Sequence, residues 1–142
     1  MRLEPFKPEH MDRLKGDLPQ KHIGPILQDP AYLEHLARCG GWTAFDGDRA
    51  IACGGVVEMW PGHYSAWAFV SATIGNRGLL YFTRVSERFL STYHGRVEAV
   101  VEVDFLHGHR WADLLGFTRE TPGVMRKWFP DGGDAVLYAR VT

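Results

Sequence analysis

Within the stretch from Tyr64 to Phe117 that organises the chain, the part from Tyr64 to Asp104 limits the possible folds more than any other. It opens with Tyr-Ser-Ala-Trp-Ala-Phe-Val-Ser (64–71), which is aromatic and β-branched enough to read as a strand. It closes with Arg-Val-Glu-Ala-Val-Val-Glu-Val-Asp (96–104), a second strand by the same criterion. Between them Leu79, Phe82, Val85, Phe89 and Leu90 recur at helical spacing and make one apolar stripe. Strand, helix, strand over about 40 residues is a βαβ unit, whose strands lie parallel through a right-handed crossover. The turn Ile74-Gly75-Asn76-Arg77-Gly78 opens the helix. Backbone N–H groups at a helix start favour an anion. Two glycines let the chain bend tightly there and let a phosphate come close. The centre of the chain therefore reads as an anion cradle for a phosphorylated cofactor.

The remainder bounds that reading. The 142 residues suit one domain, 1–142, large enough to bury its own core. A net charge of −1 gives no bulk attraction to nucleic acid or to an anionic membrane. Cys39 and Cys53 form no CxxC pair, so they read as reduced thiols of a cytoplasmic protein. The start lacks an apolar signal region, and no apolar run approaches the ~20 residues of a membrane helix.

In chain order, Arg2–Lys7 reads as an edge strand and Pro8–Lys15 as a short helix closed by Gly16. Residues 18–25, with two prolines and a glycine, read as loop. Asp29-Pro30 starts a helix that stops at Gly40-Gly41. Residues 42–45 and 50–58 flank the hairpin turn Asp46-Gly47-Asp48, and Gly54-Gly55 suggests a bulge or a close approach to the backbone. Pro61-Gly62 turns into the 64–72 strand, completing an antiparallel meander. His94-Gly95 resembles a helix cap. After the 96–104 strand, 105–108 reads as loop, 110–115 as a helix, 118–128 as an interrupted strand and 135–141 as the last strand.

One strand, two helices, three meander strands, helix, strand, helix and two strands is an order that resembles the GNAT acyltransferase family. The opening Met-Arg-Leu-Glu-Pro-Phe-Lys-Pro-Glu-His-Met-Asp-Arg-Leu resembles that family's usual start. Asp113-Leu114-Leu115-Gly116-Phe117 resembles its helix ending in Leu-Gly-Phe. The block 103–117 is similar to GNAT-like proteins of tailed phages and prophages, the internal virion protein type among them. The resemblance implies an α/β (α+β) fold with a mixed, mostly antiparallel sheet, about four helices, and parallel fourth and fifth strands that splay apart. It implies acetyl-CoA or another acyl-CoA as co-substrate. Phe69, Val70 and Ser71 would pair with its pantetheine arm, and Ile74, Gly75, Asn76, Arg77, Gly78 and Leu79 would hold its pyrophosphate. It implies direct N-acyl transfer to an amine on a small molecule or a protein, with no metal, no nucleic acid and no membrane as partner, and it allows a homodimer. The sequence departs from the family at three places. Gly75 and Gly78 stand three apart rather than at the family's spacing; the family's tyrosine before Leu-Gly-Phe is Ala112; and the asparagine that often follows the fifth strand is Phe105. The rival reading that these departures favour is a non-catalytic phage or prophage binding module, a particle component with the same fold.

Glu58, at the end of the third strand, and Asp104, leaving the fifth, are the candidate catalytic carboxylates. Their plain readings are a solvated strand end and a helix cap. His63 is a third candidate base, against the plain reading of an exposed turn histidine. Arg77 is a phosphate partner or a solvated helix-start arginine. His107 and His109 beside Asp104 lack a recognised metal-ligand spacing. Trp60, Trp67 and Trp111 are pocket walls or core.

Overall fold

The computed structural model describes residues 1–14 and 18–142, so the expected end of the first helix at Lys15 and Gly16 lies outside the described residues. Seven strands form one sheet in the order β1-β2-β3-β4-β5-β7-β6. They are β1 Arg2–Pro5, β2 Gly41–Asp46, β3 Arg49–Trp60, β4 His63–Val70, β5 Arg96–Glu102, β6 Thr118–Arg119 and β7 Ala135–Val141. All neighbours are antiparallel except β4 and β5. The helices are α1 Met11–Leu14, which continues a 3-10 turn Pro8–His10, then α2 Gly24–Leu27, α3 Pro30–Arg38, α4 Gly75–Leu90 and α5 Leu106–Leu114. Among the described residues no helix is long and apolar enough to cross a membrane.

Two apolar layers hold the sheet. On one face Met11, Leu14, Leu27, Leu33 and Leu36 pack against Phe45, Cys53 and Phe69. Burial pushes the Cys53 thiol up and out of its usual titration range. On the other face Phe82 of α4 meets Ala44, Ile51 and Ala52, and Leu90, Ala112 and Leu115 meet Val56, Val97 and Val136. The α4 stripe is buried at Phe82 and Leu90, but its first member, Leu79, is 39% exposed. Asp29 caps α3 as expected, its Oδ1 accepting the Ala31 N–H at 3.1 Å.

Several expectations are corrected. Residues 18–25 are not all loop, because α2 begins at Gly24 with Pro25 in its first turn, where proline is tolerated. α2 is thus a helix beyond the four expected. Gly54-Gly55 makes no bulge: both pair in register with β2 and β4, and the register shifts fall at Ala44/Phe45 and Glu58/Trp60. The glycines there make room instead. A Cβ on Gly55 would lie 2.9 Å from Trp67 Nε1, and one on Gly41 would lie 3.0 Å from the same indole, so Trp67 lies flat against both. α4 ends at Leu90 rather than near His94-Gly95; Gly95, at φ +112°, packs on the Gly62 backbone. α5 starts at Leu106, inside the expected 105–108 loop, and ends at Leu114. The strand expected over 118–128 is two residues long, followed only by a single bridge from Met125 to Ala135.

Candidate active site

β4 and β5 are hydrogen-bonded as a parallel pair only at His63/Arg96, Tyr64/Val97 and Ser65/Glu98. β4 then runs on to Val70 and β5 to Glu102, and the two part. The wedge between them holds a cavity of about 360 Å³. On the α4–α5 side it is walled by Phe82, Ser86, Phe105, Trp111 and Ala112; on the α1–α3 side by Gln20, Tyr32, Trp67, Trp128 and Phe129. The splayed strands expected from the family resemblance are therefore present, and Phe105 stands at the cavity wall without filling it.

The free edge of β4 is set by strand alternation. The Ser71 N–H donates to Ile51 O at 2.9 Å, so residues of that parity spend their backbone groups on β3. The Ala68 carbonyl faces the other way and accepts the side-chain amide of Gln20 at 3.1 Å. Ala66, Ala68 and Val70 therefore carry the backbone groups that look into the wedge. Of the expected pairing residues Phe69, Val70 and Ser71, only Val70 has that orientation.

Gln20 belongs to a strap across the wedge. The next two backbone N–H groups, of Lys21 and His22, donate to Glu102 Oε1 on β5 at 2.9 and 3.2 Å. His22 Nδ1 lies 2.6 Å from Asp131 Oδ2, and its ring stacks on Phe129 at 5.8 Å. The bond to Asp131 raises the His22 pKa, with the charges of Glu102 and Asp104 adding, while the same bond holds Asp131 below its ordinary range. Thus residues 20–22 tie β4, β5 and the loop before β7 together.

At the closed end of the wedge His63 Nε2 bonds Glu98 Oε1, which also accepts Arg96 Nε at 3.1 Å. Arg96 in turn grips both oxygens of Glu120 at 2.6 and 3.0 Å. This chain clamps the seam between β4, β5 and the start of the 120–134 loop. His63 is thus neither a bare turn histidine nor a lining residue of the cavity.

At the open end, the turn after β4 leads into α4. No side chain caps that helix. Gly75 has φ +75° and open space where a Cβ would stand, so it serves the bend. Gly78 is different: a Cβ there would meet Ile74 and Ile51 at 2.8 and 3.0 Å, so it serves packing of α4 on the sheet rather than close approach of a phosphate. Arg49 reaches this turn from β3, donating to the Thr73 carbonyl at 2.6 Å and to the Thr73 hydroxyl.

Glu58 and Asp104 are exposed and lie outside the cavity. Glu58 pairs with Tyr64, beside Val97, while Asp104 stands seven residues further along that chain direction. At strand rise that separation is roughly 20 Å, too far for both carboxylates to reach one reacting centre. Ile74–Leu79 lie past the cavity, at the end of β4. His109 is held by Tyr138 Oη and Val103 O at 2.9 Å each, and the described residues contain no cluster fit for a metal. Trp67 and Trp111 wall the cavity, but Trp60 is 60% exposed at the far end of β3. Gln20, Glu102 and Arg49 were not singled out from the sequence. Alternation along 96–104 puts Glu102 with Arg96 and Glu98 on the face that their charges mark as wet, whereas the structure buries it.

No protein-family model matches the chain, and no curated protein matches it. Solved structures do match in fold. A GNAT-family acetyltransferase from Bacillus anthracis superposes with TM-score 0.66 at 13% identity, covering 99% of this chain and 95% of that one. An aminoglycoside 6'-acetyltransferase type Ii gives 0.66 at 16%, covering 99% and 97%. A spermidine N-acetyltransferase chimera from Vibrio cholerae gives 0.67 at 12%, covering 99% and 96%. The chain has the GNAT fold. The likeness of residues 103–117 to phage proteins finds no support among these structures.

Proposed function

We propose that this chain transfers an acyl group, acetyl in the simplest case, from acyl-CoA to an amine. The observation that carries the reading is the parting of β4 from β5 after three residue pairs, which leaves a lined cavity and a free strand edge in the middle of the sheet. Fold alone does not confer activity, so the residues present must suit the co-substrate. They do so in two ways. The edge at Ala66, Ala68 and Val70 offers backbone groups to the amides of a pantetheine arm. The uncapped α4 start at Ile74–Leu79, with Arg77 on its first turn, suits a pyrophosphate. In the reaction the amine nitrogen attacks the thioester carbonyl, the C–N bond forms, the C–S bond breaks, and the proton lost by the nitrogen ends on the thiolate, which leaves as the thiol. Ala112, at the cavity wall, offers no proton to the thiolate.

The test is titration calorimetry with acetyl-CoA, followed by a thiol-release assay with a panel of amines. Micromolar binding, about −8 kcal/mol, together with amine-dependent release of CoA is expected. No binding at millimolar acetyl-CoA would sink the reading and leave a non-catalytic binding module, for which the acetylase fold is only a scaffold.

A further inference from the structure

We propose, resting on the acyl-transfer reading, that Glu102 is the seat of the acceptor amine and that the acceptor is a monoamine with an apolar body. Glu102 is 6% exposed and lines the cavity. Its Oε1 is occupied by the Lys21 and His22 N–H groups. Its Oε2 makes no hydrogen bond among the described residues, and none of their cationic side chains is within ion-pair distance of it; the neighbouring His22 is engaged with Asp131. Oε2 is thus the oxygen left to whatever enters the cavity, and an ammonium group there supplies both a donor and the countercharge.

The lining sets the class. Among the described residues that line the cavity, Glu102 is the only one with a formal charge. The same cavity is lined by Tyr32, Trp67, Phe69, Trp128 and Phe129. A polyamine or an aminoglycoside would set its further cations and hydroxyls against these rings with no carboxylate to receive them. One ammonium on an apolar body matches the lining, and ring faces add attraction for a single cation. Transfer of one proton from the bound ammonium to the Glu102 carboxylate leaves the neutral amine. Its lone pair forms the C–N bond as the C–S bond breaks, the thiolate departs with the electron pair, and the second proton of the nitrogen passes to that thiolate, giving the amide and the thiol.

The experiment is calorimetric titration of the full chain with phenethylamine, phenethyl alcohol and spermidine, without CoA and with CoA present, in the wild type and in Glu102→Gln. Glutamine keeps an oxygen for the two backbone donors and removes the charge. In the wild type the amine is expected to bind at least about tenfold tighter than the alcohol, a difference set by the ammonium. Spermidine should bind no tighter than phenethylamine, and the preference for amine over alcohol should vanish in Glu102→Gln. Equal affinity for amine and alcohol in the wild type overturns the proposal, whatever the variant's stability. A preference that survives in Glu102→Gln, tighter binding of spermidine, or no amine binding in either condition also overturns it. Failure of the acyl-transfer reading looks different: the amine would bind with its preference intact while acetyl-CoA did not bind.

Discussion

The side-chain amide of Gln20 donates to the Ala68 carbonyl at 3.1 Å, on the very edge of β4 that faces the wedge. A pantetheine amide pairing along that edge meets this bond first. Replacing Gln20 with alanine is expected to strengthen acetyl-CoA binding by about fivefold, since a neutral hydrogen bond is worth ~1 kcal/mol net and no longer has to be given up. Weaker binding on titration would instead make Gln20 a ligand of the cofactor.

Gly55 and Gly75 give opposite reasons for being glycine. A Cβ on Gly55 would press on Gly40 O at 2.8 Å and on the Trp67 indole, neither of which can swing aside. Gly55→Ala is expected to cost about 2–3 kcal/mol in urea denaturation, in the range of overpacked cores. Gly75→Ala meets nothing and pays only for its φ of +75°, about 1 kcal/mol. Equal losses would mean that Trp67 does not rest on Gly55.

Arg49 fastens the turn that opens α4 through Thr73. Arg49→Ala is expected to weaken acetyl-CoA binding by about tenfold while leaving the thermal midpoint within a few degrees, because the tie is at the surface and the cation sits by the turn proposed to hold the pyrophosphate. Unchanged affinity would separate this turn from the co-substrate.

The His22–Asp131 pair gives a pH dependence with a definite sign. His22 is raised above 6.5, so its contribution is complete below that value and fades as pH rises through the raised pKa. Asp131 is lowered below 3.8, so its contribution is present above that value and fades as pH falls through the lowered pKa. Both hold between about pH 4 and pH 6.5. The difference in urea midpoint between wild type and Asp131→Asn should peak in that window and shrink at alkaline pH. A difference that grows with pH would refute the pairing.

Glu58, Asp104 and His63 lie outside the cavity. In steady-state assays with a working amine, Glu58→Gln and Asp104→Asn should leave kcat within about threefold, well short of the hundredfold or more that a general base is worth. His63→Gln should act mainly on stability, through the clamp with Glu98. A hundredfold fall in kcat for any of the three would return it to the chemistry.

The middle of the fold was legible because its signals are periodic. Phe82 and Leu90 fall on the buried face of α4, and Val97, Ala99 and Val101 line one face of β5, as spacing alone required. The 120–128 region was not legible. Lys127 adopts φ +55°, and the backbone meets β7 at one bridge, so composition promised a strand that pairing did not deliver. Glu102 shows the deeper limit. Alternation sets it opposite Val97, Ala99 and Val101 on a face that its charges mark as wet, yet it is buried: its cover comes from Lys21 and His22, about 80 residues earlier, and no local pattern reports that. Gln20 was hidden for the same reason, inside a segment that reads as plain loop. The glycines at 41 and 55 announced a close neighbour without saying that it was Trp67.

The three-pair seam between β4 and β5 also makes the sheet a pair of shears. Four strands lie on one side of it and three on the other, pivoting about Ser65 and Glu98. From Ser65 to Val70 the blade is roughly 17 Å long at strand rise, so a turn of about 5° at the pivot moves the tip by about 1.5 Å. The bonds from Gln20 to one blade and from Lys21 and His22 to the other span the wedge, so any such turn has to stretch or break them.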